Sequence, residues 1–444
     1  HPNVVGTFGD YQLRQRFGEF GIIDRKLQGL MGEFSYGDFN GYVSIANSRG
    51  KFNSNNLNGS DGVQGPYRLS GINNERDIIT IAGTEKVFLD GIEMARGENK
   101  DYTIEYSNAS ITFTPNRLIT SASRISVDFE YTDRQFARSF FGAGTSTKLF
   151  NDKLQLKVQY MREGDDQDSP IDISLSEEDK NILSLAGDDR NKAIKSGIKL
   201  AEPDSLGIIK GIYTKVDTLI NGVGFSYYVY NPGDSLSLYT VSFSYVGEGK
   251  GDYRRQSLGY YNFVGIGSGS YLPIIFLPLP QLKQMGNLVV DVNPFENVTL
   301  SLEYAGSLWD KNRLSASDDG DNYGYARNIS LKVAPTQILV GELDLGKAGL
   351  NYRDRFIQGK FTSLDRFNDV EFSRNYNSAS QIEIKDESLR EIGISLQPVK
   401  ELSVNSTAGF LRKGDDFSSD RYNNILRFTD VKNFNLEYNL DYVK

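Results

Sequence analysis

Carboxylates supply the densest clusters of chemistry-bearing side chains: Asp165, Asp166 and Asp168; Asp188 and Asp189; Asp318, Asp319 and Asp321; and Asp415, Asp416 and Asp420. Closely spaced oxygens suit Ca2+, a hard cation. All four clusters are expected in loops. Asp318, Asp319 and Asp321 are the first calcium candidates, because Asp319, Asp321 and Gly324 match part of an EF-hand loop. Tyr323 then stands at a ligand position and no suitably spaced Glu follows, so solvated acidic loops are the competing expectation. Paired carboxylates also serve glycoside hydrolysis, yet 58 acidic residues place many pairs close by chance. Gly247, Gly249 and Gly251, echoed by Gly265, Gly267 and Gly269, would need a helix N-terminus after them to cradle phosphate. Neither stretch reads as helical, so bends and bulges are expected there.

Missing residue types narrow the chemistry further. There is no Cys, which excludes disulfides, a thiol nucleophile and Cys-based metal sites. The one His is His1, which argues against a Ser-His-Asp triad or a His metal site. Lys and Arg number 49 against 58 Asp and Glu, a net charge of −9. That balance argues against nucleic acid as a partner. No catalytic and no cofactor-binding residue is assigned, calcium is the one candidate cofactor, and a role without catalysis is expected.

The elements that must carry these groups are strands. From Lys153 to Tyr160, Leu154, Leu156, Val158 and Tyr160 oppose Lys153, Gln155, Lys157 and Gln159. The same alternation places Val298, Leu300, Leu302 and Tyr304 on one side of residues 297–304, and Phe434, Leu436, Tyr438, Leu440 and Tyr442 on one side of residues 433–442. Successive strand side chains point to opposite faces, so each segment has one apolar and one polar face. The apolar face could meet a second sheet in a soluble sandwich, or lipid in a barrel whose polar face lines the interior. No apolar run reaches the ~20 residues of a membrane helix.

The connections favour the barrel. Short turns are expected at Gly37–Asp38, Asn151–Asp152, Phe295–Glu296, Pro335–Thr336, Pro398–Val399 and Val431–Lys432. Long stretches run between them, at 50–133, 162–283, 307–323, 352–387 and 412–419. Tight periplasmic turns alternating with long outer loops are a barrel pattern. The expected fold is all-β: a transmembrane antiparallel β-barrel of twelve strands, with residues 4–20 as a thirteenth. Barrel strands are assigned to 1–60, 134–161 and 284–444. An even strand number is usual in such barrels, so the chain is expected to be part of a larger barrel with strands beyond Lys444.

Residues 61–133 are expected to form a small inserted β domain, with a hairpin at Asp90-Gly91 and apolar positions at Ile111, Phe113, Ile125, Val127, Phe129 and Tyr131. Residues 162–283 form a long surface excursion with one short helix, capped by Ser176 and stopped at Gly187.

The stretch Gly83-Thr84-Glu85-Lys86-Val87-Phe88-Leu89-Asp90-Gly91 resembles a β-sandwich module of bacterial surface and phage tail proteins. That resemblance implies a structural or adhesive module. Arg25-Lys26-Leu27-Gln28-Gly29, Ala186-Gly187-Asp188-Asp189, Phe243-Ser244-Tyr245-Val246-Gly247, Gly249-Lys250-Gly251-Asp252-Tyr253 and Leu277-Pro278-Leu279-Pro280 resemble motifs of very large, mostly uncharacterised outer-membrane proteins of the Bacteroidota and Chlorobi. The resemblance implies a barrel with surface elaborations and assigns no activity. The chain is more distantly similar to the giant translocon barrel of the type IX secretion system, without a motif diagnostic of it.

The function expected from these readings is an outer-membrane barrel acting as a transport or secretion conduit, or as a surface scaffold. Its location would be the bacterial outer membrane, with loops and inserted domains on the cell surface. Its partners would be outer-membrane lipid and, as further candidates, other outer-membrane or periplasmic proteins. The alternatives are a secreted, soluble, multi-sheet surface or filament protein with a structural or adhesive role, and a surface enzyme acting on polysaccharide.

Overall fold

The computed structural model describes all residues except 1–2, 49, 77, 133–134, 172–173, 206, 221, 258, 379–384 and 432–433. Thirteen strands pair in chain order into one antiparallel sheet. They are β1 (Val4–Phe17), β2 (Gly21–Tyr36), β3 (Phe39–Ser48), β4 (Phe136–Leu149) and β5 (Leu154–Pro170). Then come β6 (Leu282–Phe295), β7 (Val298–Asp310), β8 (Tyr323–Val340) and β9 (Leu343–Ile357). The last four are β10 (Glu387–Val399), β11 (Leu402–Lys413), β12 (Phe417–Val431) and β13 (Phe434–Val443). β1 bonds only to β2 and β13 only to β12, so among the described residues the sheet is open. No helix among the described residues is long and apolar enough to cross a membrane.

The alternation of the sequence becomes two unlike faces. On β7, Leu302 and Tyr304 are 40% and 55% exposed, while Glu303, Ala305 and Ser307 between and beyond them are buried. On β5, Val158 and Tyr160 are exposed and Gln159, Met161 and Glu163 are buried. On β6, Leu288 is exposed and Met285, Asn287 and Val289 are buried. Cross-strand register aligns Leu156, Val290, Leu302 and Ile329 on the exposed face. None of Leu156, Leu302 and Leu436 is buried. On β5, β6 and β7 the covered face thus takes polar positions, whereas on β1 and the tip half of β2 Leu13, Phe17, Ile23 and Leu27 are buried and Gln12, Arg14 and Lys26 are exposed. The covered face is the inner one of a curled sheet, because the β1–β2 tip bonds to side chains of β7, β8 and β9.

Two expected connections move. β8 runs through Pro335–Thr336 to Val340, and the turn falls at Gly341-Glu342. The ladder skips from Val333–Leu350 to Thr336–Ala348, so two residues oppose one. Such a bulge absorbs Pro335, which has no N–H to donate. The stretch 412–419, expected to be long, is a three-residue turn, Gly414 to Asp416, between Lys413 and Phe417. Long excursions therefore separate β3 from β4, β5 from β6, β7 from β8 and β9 from β10, all at one end of the sheet, the insertion end. The turn expected at Val431–Lys432 includes Lys432, outside the described residues.

Between β3 and β4 the inserted domain begins earlier than residue 61. Lys51–Asn58 pairs along its whole length with Arg124–Thr132, which also bonds to Lys86–Leu89. A second sheet joins Tyr67–Arg68, Ser110–Phe113 and Tyr102–Glu105. Val87, Ile111, Phe113, Ile125, Val127 and Phe129 are all at most 2% exposed in its core. A core of this kind contributes roughly 1.5–3 kcal/mol per large apolar side chain.

The chain divides into two compact units, and 174–280 with 311–318 form the second. Its helix, α1 (Glu177–Ala186), carries the expected cap: the Ser176 hydroxyl accepts from the Asp179 N–H at 3.1 Å and Asp179 answers with a bond to the Ser176 N–H. Two four-stranded sheets follow. Each has the same order: its first strand lies beside its fourth, then its second and third. Gly251 and Gly269 face each other across a bridge where a Cβ on either would strike the neighbouring backbone. Close backbone approach explains these two glycines, where bends and bulges were expected. Aromatic rings join the two sheets, with Phe243 on Tyr261 at 4.4 Å and Tyr227 on Phe263 at 4.5 Å.

Candidate functional site

The inner face of the large sheet gathers the most interacting charges, and the β1–β2 hairpin brings them together. β2 pairs with β3 only from Gln28 onward, while Gly21 to Leu27 pair with β1 alone. The tip half of the hairpin thus leaves the sheet. Gly18, at φ +77°, turns the chain so that the N–H groups of Glu19 and Phe20 both donate to Glu303, at 2.7 and 2.8 Å. Asn287 adds a third bond to that carboxylate at 3.1 Å. Successive N–H groups on one anion form a nest, which suits a buried carboxylate without a cation.

The Glu19 carboxylate accepts from Asn328 at 2.9 Å, from Arg355 at 2.7 Å and from Arg353. Arg355 is 2% exposed. It also donates to Glu387 at 2.6 Å and Asn368 at 2.7 Å, and lies 4.8 Å from the Phe372 ring on the one-turn helix α2 (Phe372–Asn375). Phe20 packs edge-on against Phe361 and Phe367. A buried guanidinium is tolerable when its donors find acceptors, and here three oxygens do so.

A second cluster joins the inserted domain to the sheet. Arg25 of β2, 3% exposed, donates to Asp365 at 2.5 Å and to the Leu364 carbonyl at 3.0 Å. It stands 3.6 Å from Glu130 of the inserted domain and 3.7 Å from Glu163 of β5. Arg138 of β4 lies 3.7 Å from both Glu163 and Asp165. Lys283 of β6 rests over the Trp309 ring at 4.6 Å. Burial pushes the Glu130 carboxyl up to about 7, only partly offset by Arg25. Burial likewise raises Asp365 against the pull of Arg25. Two cavities adjoin the cluster: one of about 350 Å³ beside Lys283, Asp365 and Phe367, and one of about 90 Å³ beside Asp24, Asp128 and Glu130.

Of the sequence candidates, Asp318, Asp319 and Asp321 are exposed, and Asp319 accepts from the Asn322 side chain at 3.1 Å. Among the described residues no group of three or more His, Asp or Glu is placed to hold a metal ion. Asp165, Asp166 and Asp168 lie within β5 rather than in a loop, because that strand runs on to Pro170. Asp165 is 2% exposed and accepts from the Gln281 N–H at 2.9 Å. The charges that converge, Glu19, Arg25, Glu303, Arg355 and Asp365, were not singled out from the sequence. Glu303 alone carried a signal, as a carboxylate on the polar side of an alternating strand.

With the geometry in view, comparison with known proteins adds one match. Residues 52–133 fit a family model described as a domain of unknown function (DUF8818), a span that follows the inserted domain closely. No curated protein matches the chain.

Proposed function

We propose that this chain is the wall of an outer-membrane β-barrel, acting without catalysis as a transport or secretion conduit or as a surface scaffold. One observation carries the reading: a band of exposed apolar side chains runs across the large sheet from β1 to β13, while on β5, β6 and β7 polar positions such as Gln159, Asn287 and Glu303 are covered. Phe8 is 86% exposed, Ile45 57%, Ile394 47% and Tyr438 58%. In water each such side chain forgoes roughly 1.5–3 kcal/mol. In hydrocarbon the same belt is the solvated state, and every strand N–H and C=O must be bonded within the sheet. The inserted domain between β3 and β4 then lies on the cell-surface side, and the β1–β2 tip, bonded to Glu303, Asn328 and Arg355, occupies the interior.

Flotation tests the reading. The chain is refolded with phosphatidylcholine vesicles and centrifuged through a density gradient. Recovery with the vesicles after an alkaline carbonate wash is expected. A monodisperse, detergent-free species that stays at the bottom of the gradient would remove the membrane and leave a secreted multi-sheet protein.

A further inference from the structure

On the outer face, Gly286 of β6 pairs with Gly306 of β7. A Cβ on either would meet no atom within 4 Å, so the surface dips there. Tyr160, Tyr304 and Tyr325 rise around the dip, and Tyr160 donates to Gln284 at 2.8 Å. The resulting groove measures about 560 Å³. Tyr304 and Tyr325 stack at 6.0 Å.

Arg327 stands directly opposite Tyr304 in the β7–β8 ladder. Asp354 of β9 accepts from Arg390 at 3.1 Å and lies 3.5 Å from Arg327. Two guanidinium groups therefore share one carboxylate, and their side chains are 46% and 61% exposed. Two residues further toward the tight turns, on the same face, come Ile329 and Ile392, with Leu302 opposite Ile329. From the insertion end downward the surface reads aromatic groove, surplus cation, hydrocarbon.

We propose that this patch binds an outer-leaflet glycolipid with a phosphorylated sugar headgroup. A sugar ring presents flat C–H surfaces that pack on tyrosine faces and hydroxyls that reach Gln284 and the phenols. The phosphate meets Arg327 and Arg390, whose planar forks match it bidentately. The acyl chains lie along Leu302, Ile329 and Ile392. A soluble sugar phosphate would leave that aliphatic strip bare, and a simple phospholipid would leave the groove empty. The inference rests on the membrane reading above and adds a headgroup to it.

The test uses the full chain in detergent, with lipid retention counted by native mass spectrometry. The probes are lipid A (a phosphorylated, acylated glucosamine disaccharide), dephosphorylated lipid A and phosphatidylglycerol. One lipid A is expected to remain bound, with each of the other two retained about tenfold less, the weight of one lost charge-assisted contact. Arg327→Gln with Arg390→Gln should lower lipid A retention about tenfold. Gly306→Leu, which fills the groove and keeps the charges, should also lower it. Equal retention of all three lipids, or of lipid A by wild type and both variants, overturns the proposal. Flotation on pure phosphatidylcholine separates the two claims: a chain that floats without lipid preference loses only this site, and a chain that does not float loses both.

Discussion

On β7 and β9 the inward charges Glu303, Arg353 and Arg355 are engaged by Glu19 and Phe20 of the hairpin tip, and Arg355 is also held by Asn368. On β12 and β13 the inward charges pair across their own ladder. Arg421 grips Asp441 with two bonds, at 2.9 and 2.7 Å, and Arg427 reaches Glu437 at 2.9 Å. Both stretches use the same residue types at the same strand period. In the first, Glu303 and Arg355 are dry and cross-linked to the hairpin while Arg353 stays 30% exposed, and in the second every one of these side chains is partly exposed. The lesson is that alternation sets which face a charge takes, while distant chain segments decide whether that charge bears structural weight.

The largest break in this contrast should come from Arg25→Leu. It leaves Asp365, Glu163 and Glu130 without their central cation, and losing one partner of a buried cluster costs about 3–5 kcal/mol. The denaturant midpoint of the refolded chain in detergent reads it; a wild-type midpoint would mean the cluster is solvated. Next comes Gly18→Ala. Its positive φ and the Glu303 carboxylate pressed against the new Cβ should cost about 1–3 kcal/mol. Faster protease nicking between Phe17 and Gly21 is the expected sign, and an unchanged rate counts against the nest.

Glu130 supplies a pH test of intermediate size. Its carboxyl is raised in the folded state to about 7 from an ordinary value of 4.5. Between those values the folded chain holds a proton that the unfolded chain has released, so stability is fully present below 4.5 and is lost as pH rises through about 7. Asp365, also raised, adds the same sign. Amides of Ile125 to Tyr131, corrected for intrinsic exchange, should be better protected at pH 5 than at pH 8, and Glu130→Gln should flatten that slope. The opposite slope would refute the assignment. The smallest effect belongs to Arg427→Gln, expected to stay under ~1 kcal/mol because the pair is half exposed. A loss as large as that of Arg25→Leu would erase the distinction between the two stretches.

Strand positions were legible because period two survives in Leu154 to Tyr160 and Phe434 to Tyr442, where nothing competes with it. Pro335 misled, since a proline marks a turn or a bulge equally well and only the partner strand settles which. The α1 cap was readable because all its parts are local, from Ser176 to Asp179. The latch was not. Glu19 and Arg355 are 336 residues apart, and no local pattern tells an inward arginine that meets a hairpin from one that meets a neighbouring strand. Nor did composition reveal that the excursion 198–272 uses one sheet order twice, since its strands are only two to eight residues long.

The count of strands has a directional consequence. Neighbours are antiparallel throughout, and thirteen is odd, so β1 and β13 point the same way. Zipping one free margin straight onto the other would create a parallel seam. Two copies inserted side by side with a common orientation would meet through two such seams. A ring sealed by uniformly antiparallel bonding needs an odd number of further staves between Val4–Phe17 and Phe434–Val443, the first of them running against both.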